Sequence, residues 1–310
     1  MKGNLKAGLG KYGYSARVVS VERLQSLKES VEADHSNGLL NEEFYQRYLA
    51  RFAPAGTEDM PSAKSLIVVA ARQPRTRFIF SYRGSKTVAI VPPSYLHAEE
   101  ADAKVQERLA SLLSPEGFCV APALVPRKLL AVRSGLAVYG RNNITYVEGM
   151  GSFHRLSAFL SDMPPEAGEE WYDLKIMERC GDCDICARKC PTGAIGPDRV
   201  LLHAERCIVY HNEKPYDIPF PGWMEGSWHN CLVGCMLCQR LCPENKKYLG
   251  EAEAGAEFSD DETALLLAGL PHDQLPAALV KKLKESDLYS ITEVIPRNLN
   301  ILLQGAAKSR

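Results

Sequence analysis

The chain has 310 residues, of which 45% are hydrophobic, with 37 Lys and Arg against 38 Asp and Glu for a net charge of −1 at pH 7. That length and apolar content allow a sizeable core spread over two or three domains, and the balanced charge supplies no global field for nucleic acid or a membrane surface. The opening stretch MKGNLKAGLGKYGYSARVVS lacks the apolar centre of a secretory signal, and no run of roughly 18 apolar residues occurs, so the expectation is a cytoplasmic protein without a membrane span.

Residues 1–65 read as mostly helical. VERLQSLKESVEA and LLNEEFYQRYLARF place apolar residues three and four apart, with a turn at His35, Ser36, Asn37 and Gly38 between them, and 54–61 reads as a loop. Strands begin at SLIVVAAR, an unbroken apolar run, and continue through TRFIFSYRG and KTVAIVPP around a hairpin turn at Arg83, Gly84 and Ser85. HAEEADAKVQERLASLL then reads as a helix, GFCVAPAL as a strand with Cys119 as a small buried residue, RKLLAVRSGLA as a helix, and NNITYV and RLSAFLSD as strands. After the cysteine-rich stretch, ETALLLAGL, LPAALVKKLKE and NLNILLQ are amphipathic and read as a short helical cap. The expected organisation is a helical segment at 1–65, an α/β domain at 66–165, a cysteine domain at 166–250 organised by metal more than by a core, and a cap at 251–310.

Nine of the ten cysteines fall between Cys180 and Cys242. Cys180, Cys183, Cys186 and Cys190 are spaced x2, x2, x3 and are followed by Pro191. Cys231, Cys235, Cys238 and Cys242 are spaced x3, x2, x3 and are followed by Pro243. The first run and the last three cysteines of the second have the bacterial ferredoxin spacing for [4Fe–4S] clusters, in which the fourth cysteine of a run ligates the other cluster. Soft thiolates suit iron in a cubane, whereas two such closely spaced runs, each closed by proline, are hard to place around tetrahedral zinc. Two clusters need eight ligands. Cys180, Cys183, Cys186 and Cys242 are assigned to the first, and Cys190, Cys235 and Cys238 to the second, with either Cys207 or Cys231 as the eighth ligand. Ligand thiolates must stay unoxidised, which again favours a reducing compartment.

The order CGDCDICARKCPTGAI, HAERCIVYHN, NCLVGCMLCQRLCPENK resembles the epoxyqueuosine reductase family and its relatives the reductive dehalogenases, from about residue 66 to the end and most strongly over 180–246. The segment RSGLAVYGRNNITYVEGMGSFHRLSAFLSDMPP is similar to the family's Arg-x-Gly-Leu-Gly-x-x-Gly-Lys stretch, through Arg133, Gly135, Leu136, Gly140 and Asp162, with Ala137 and Arg141 replacing the usual Gly and Lys. The resemblance implies an α+β fold: a nitroreductase-like α/β domain, a bacterial-type two-cluster ferredoxin domain and a short C-terminal helical segment. It implies Cys207 as the isolated ligand, with Cys231 left over. It further implies a cobalamin beside the nearer cluster, with Arg133, Gly135, Gly140 and Arg141 as cofactor contacts, and an electron donor such as ferredoxin or flavodoxin.

One departure limits the transfer. The family's general acid, an Asp, should lie around Ala121–Ala123, yet no Asp or Glu occurs between Glu116 and Glu148, so no carboxylate there can deliver a proton. No catalytic residue is therefore assigned. The same window carries Arg127, Lys128, Arg133 and Arg141, four cations suited to an anionic ligand. Gly149, Met150, Gly151 and Ser152 read as a tight loop, Tyr139 and Tyr146 as core tyrosines, and His203 and His211 as exposed residues flanking Cys207. The expected function is an iron–sulfur oxidoreductase passing single electrons to a cofactor, for reduction of a small molecule or modified nucleoside. The alternative is electron delivery to a redox partner protein. Without a basic and aromatic platform, nucleic acid is not an expected partner.

Overall fold

The unbroken apolar run at 65–72 becomes a strand buried on both faces, and the larger sheet is built around it. The computed structural model describes residues 2–52, 57–58, 60–165, 167–196 and 200–308. Among them nine strands form in chain order: β1 (Ser15–Ser20), β2 (Ser65–Arg72), β3 (Arg75–Tyr82), β4 (Ser85–Val91), β5 (Val120–Pro122), β6 (Val138–Tyr139), β7 (Thr145–Tyr146), β8 (His154–Ser161) and β9 (Ala252–Phe258). Half of the 54–61 loop lies outside the described residues.

The chain folds into two compact units, and it visits each more than once. The first comprises Met1–Gln73, Ala98–Asp184 and Ile195–Ala204; the second comprises Pro74–His97, Ile185–Ala194 and Glu205–Arg310. The consecutive segments read from the sequence are thus not the units of the fold.

In the first unit the sheet order is β1-β2-β8-β5, antiparallel throughout. The period-2 alternation of a strand divides β2 between two cores. Leu66, Val68 and Ala70 pack with Leu24 and Leu27 of helix Arg23–Ser36 and with Leu129 and Leu130 of helix Arg127–Arg133. Ile67, Val69 and Ala71 pack with Leu5 and Leu9 of helix Lys2–Gly10 and with Val105, Leu109 and Leu113 of helix Ala98–Leu113. β1 is a strand that the reading of a mostly helical N-terminal segment did not include. Its six residues pair with β2 from Ser15 opposite Ala70 to Ser20 opposite Ser65, and a run that short shows no decisive periodicity.

The first unit also contains a carboxylate that ties helix to sheet. Asp102 accepts from Arg155 Nε at 2.8 Å and Nη2 at 2.6 Å, from Arg127 Nη1 at 3.1 Å, and from the Ser157 hydroxyl. Burial alone would raise this carboxyl, but the Arg155 and Ser157 hydrogen bonds and the Arg127 charge hold it below the usual carboxylate range. Its folded value lies below its unfolded value, so it contributes stability above an unfolded pKa of about 3.9, and that contribution is lost as pH falls through the folded value. Asp102→Asn should lower stability at neutral pH by about 2–3 kcal/mol, less than a fully buried pair would lose because the site is partly solvated. The difference from the parent should shrink in denaturant titrations taken toward pH 3.

In the second unit the sheet order is β4-β3-β9. β3 and β4 form the expected hairpin, with Arg83 and Gly84 at φ 51° and 73° in its turn. β9 pairs parallel to β3. Its sequence, AEAGAEF, lacks the β-branched residues that signal a strand. Gly255 is needed there for close approach, since a Cβ at this position would lie 2.5 Å from the Phe78 ring.

Phe80 of β3 and Phe258 of β9 stack at 4.7 Å between ring centroids. Around them pack Leu266 of helix Asp260–Leu267, Leu279 and Leu283 of helix Ala277–Glu285, and Ile295 and Leu299 of helix Ile295–Lys308. Ser259 and Glu262 form a capping box at the first of these helices. The C-terminal helices are therefore half of a core and not a separate cap. Leu232 and Val233, from the cysteine-rich stretch, are buried in the same core. Among the described residues no helix is long and apolar enough to cross a membrane.

Candidate iron–sulfur centre

Short helices and turns carry the cysteines. In the second unit Cys186 lies in helix Ile185–Arg188, Cys238 lies in helix Leu237–Arg240, and Cys207 caps helix Ile208–Asn212. Cys242 precedes the 3-10 run Pro243–Tyr248, with Pro243 at its first position, where a missing N–H costs nothing. Cys180 and Cys183 belong to the first unit.

The second unit brings Cys190, Cys207, Cys235 and Cys238 together. Burial first, then Cys235, Cys207, Cys186 and Cys190, push the Cys238 thiol well above the usual range. Burial, with Cys235 and Cys190 nearby, pushes Cys207 up to about 12. Cys235 is raised by burial and also feels Cys190. A cluster of mutually destabilising thiolates away from water is what a soft cation would neutralise, with protons released on loading. Among the described residues no three His, Cys, Asp or Glu side chains are grouped to hold a single ion. Soft thiolate donors are the ligands that iron–sulfur clusters take.

The loop bearing Cys235 is fixed by the protein itself. Leu232 N–H donates to Ile90 O at 2.7 Å, so the loop continues from the edge of β4. Asn212 bonds Gly234 in both directions, at 2.6 and 3.0 Å. The buried Asn298 amide donates to Asn212 O at 2.8 Å and to Leu232 O at 2.9 Å. No spacing in the sequence singles out these two asparagines.

Nearby, His211 is buried, its Nε2 lying 2.7 Å from Glu205 O, which corrects the expectation of an exposed histidine. Arg297 donates to the carbonyls of His211, Lys214, Pro215 and Ile218 and lies over the Phe220 ring at 3.9 Å, which orders the proline-rich loop. Cys231 is buried, and its Sγ donates to Asn230 Oδ1 at 3.2 Å.

In the first unit all four cations of the carboxylate-free window have partners. Arg127 pairs with Asp102, and Lys128 Nζ donates to Asn143 O at 3.1 Å. Arg133 donates to Tyr172 O at 3.1 Å, to Ser30 Oγ at 3.4 Å and to Asp173 at 3.4 Å, with only its buried Nε unpartnered. Arg141 donates through Nε to Cys183 O at 2.9 Å and through Nη2 to Cys180 O at 2.5 Å and Gly181 O at 3.2 Å.

The glycines are likewise committed to the chain's own packing. Gly135, at φ 71°, faces the Tyr172 ring, which a Cβ would meet at 2.5 Å, and a Cβ on Gly140 would lie 2.6 Å from both Asn142 and Tyr146. Gly135, Gly140 and Arg141 are thus used within the unit's own packing. Tyr139 is buried, Tyr146 OH accepts from Asn142, and His154, between Gly151 O and Thr145, is lowered to about 4 by burial. Cys119 is exposed, against expectation, and its N–H donates to Asp162 at 2.8 Å.

Arg141 is a fork that secures the loop of Cys180 and Cys183. Arg141→Ala should quicken bleaching of cluster absorbance in air for about half of the signal. Arg141→Lys should not restore it, since a single ammonium cannot reproduce a planar fork.

A family model described as a 4Fe-4S double cluster binding domain matches residues 179–245. The epoxyqueuosine reductase of Staphylococcus aureus is 25% identical over 262 residues, and that of Xanthomonas campestris 34% identical over 148. The solved epoxyqueuosine reductase with an epoxyqueuosine-modified tRNA-Tyr stem loop matches 98% of this chain and 81% of its own, with TM-score 0.70 and 21% identity. The chain is thus similar to epoxyqueuosine reductases over part of its length in sequence and in overall fold. It matches 78% and 46% of its own length against these two sequence relatives, and 65% and 39% of theirs. The epoxyqueuosine reductase structure from Streptococcus thermophilus matches 99% of this chain and 81% of its own, with TM-score 0.67 and 17% identity; at such identities the likeness is one of fold.

Proposed function

We propose that the chain is an iron–sulfur oxidoreductase that relays single electrons through two [4Fe–4S] clusters. The mutual proximity of Cys190, Cys207, Cys235 and Cys238 supports this reading most directly. Cys180, Cys183, Cys186 and Cys242 would hold the other cluster. A reduced ferredoxin or flavodoxin would supply the electrons, each passing one at a time.

The resemblance favours a reductase whose acceptor is a cobalamin and whose substrate is a modified nucleoside in tRNA or a small molecule. The position expected for the general acid does not supply one: Ala123 N–H bonds Ala158 O at 2.9 Å beside β5, and no carboxylate stands between Glu116 and Glu148. If this chain reduces an epoxide, the proton must come from another group. The second reading, delivery of electrons to a partner protein, is favoured by the use of Gly135, Gly140 and Arg141 in the unit's own packing.

Anaerobic reconstitution tests the core of the proposal: about eight irons and eight sulfides per chain support it, and zinc without iron overturns it. Titration with hydroxocobalamin then separates the readings. Saturable binding supports the reductase, and its absence leaves electron delivery to a partner. Binding of a tRNA anticodon stem loop, compared with an unmodified control, tests the nucleoside substrate.

A further inference from the structure

We infer that Asn230 donates a hydrogen bond that sets the reduction potential of the second cluster, and that Cys231 holds its amide in the donating orientation. This rests on the proposed ligand set, in which Cys235 is a cluster thiolate. The Asn230 Oδ1 receives two donors, Met236 N–H at 3.0 Å and Cys231 Sγ at 3.2 Å. Its Nδ2 donates to Trp228 O and to Cys235 Sγ, both at 3.2 Å.

An amide orientation must be argued from its network, and here every contact agrees. A flipped amide would set an N–H group against the Met236 N–H. It would also set a carbonyl oxygen against Trp228 O and a ligand sulfur. Backbone geometry fixes one side of Asn230, and Cys231 supplies the second donor. This gives the ninth cysteine a role that needs no metal bond.

Hydrogen bonds to cluster sulfur are among the determinants of potential. An N–H donor stabilises the added negative charge of the reduced state more than the oxidised state, so it raises the potential. Asn230→Leu keeps similar bulk and removes the donor. Hydrogen bonds to charged groups carry enough energy for an effect of about tenfold in the oxidised-to-reduced ratio at fixed potential.

The test is an EPR-monitored potentiometric titration of the full, anaerobically reconstituted chain, with iron counted in each sample. In Asn230→Leu one of the two midpoints should move to lower potential while the other stays. Cys231→Ala should move the same midpoint in the same direction by less, and Cys231→Ser, which retains a donor, should stay near the parent. Unmoved midpoints in a fully loaded Asn230→Leu overturn the inference and leave the two-cluster reading intact. If Asn230→Leu does not load, identical midpoints for the Ala and Ser variants at position 231 overturn it. Loss of a cluster in Cys231→Ser makes Cys231 a ligand and overturns it as well. A parent protein that takes up zinc and no iron removes both this inference and the proposal it rests on.

Discussion

Cys207→Ala should lower the iron content of anaerobically reconstituted protein from about eight atoms per chain to about seven or fewer, whereas Cys231→Ala should leave it at about eight. The two cysteines compete for one place in the ligand set, and spacing alone does not choose between them. The surroundings do distinguish them. Cys207 caps a helix within electrostatic reach of Cys235 and Cys190, and its thiol is raised to about 12 by burial. Cys231 is already hydrogen-bonded to Asn230, and its buried thiol lies within electrostatic reach of Cys235. Without the Cys207 sulfur one iron of the second cubane has no protein ligand, so a three-iron species or complete loss follows. Iron and sulfide analysis with EPR of the oxidised protein reads the difference. Equal loss in both variants would remove the assignment of Cys207.

Phe258→Ala should cost about 3–5 kcal/mol, as truncation of a fully buried aromatic does. Phe258 is 1% exposed and stacks on Phe80, itself fully buried, where β9 and β3 pair. A merely appended helical cap would lose little from this change. Here β9 and the three C-terminal helices share one core with the β3–β4 hairpin and with Leu232 and Val233 of the loop leading to Cys235. Chemical denaturation of the apo chain should therefore show a large fall in midpoint, and the loaded variant should release iron at lower denaturant than the parent. An unchanged midpoint would mean that the C-terminal segment is energetically separate.

The two cysteine runs were legible because cluster ligation depends on residue type and short spacing, both local properties. The strands β2 and β3 and helix Ala98–Leu113 were legible for the same reason, since burial imposes a period that a short window displays. β9 was not, because AEAGAEF is a strand only through pairing with β3, and Gly255 serves the Phe78 ring. The four cations near Arg133 read as a ligand site because their partners are elsewhere in the chain: Asp102 lies 25 residues before Arg127, and the Cys183 carbonyl 42 residues after Arg141. His211 and Cys119 were misjudged in opposite directions, since exposure is decided by what packs above a residue.

The sequence by itself determined the chemistry of the cysteines, the proline after each run and the missing carboxylate between Glu116 and Glu148. Only the tertiary structure decided that the hairpin, the loop bearing Cys235 and the C-terminal helices form one unit, and that Asn212, Asn298 and Asn230 hold that loop and its sulfur. The reason is physical. Metal preference belongs to a side chain and its near neighbours, whereas a buried amide finds its partners only when segments far apart in sequence are packed together.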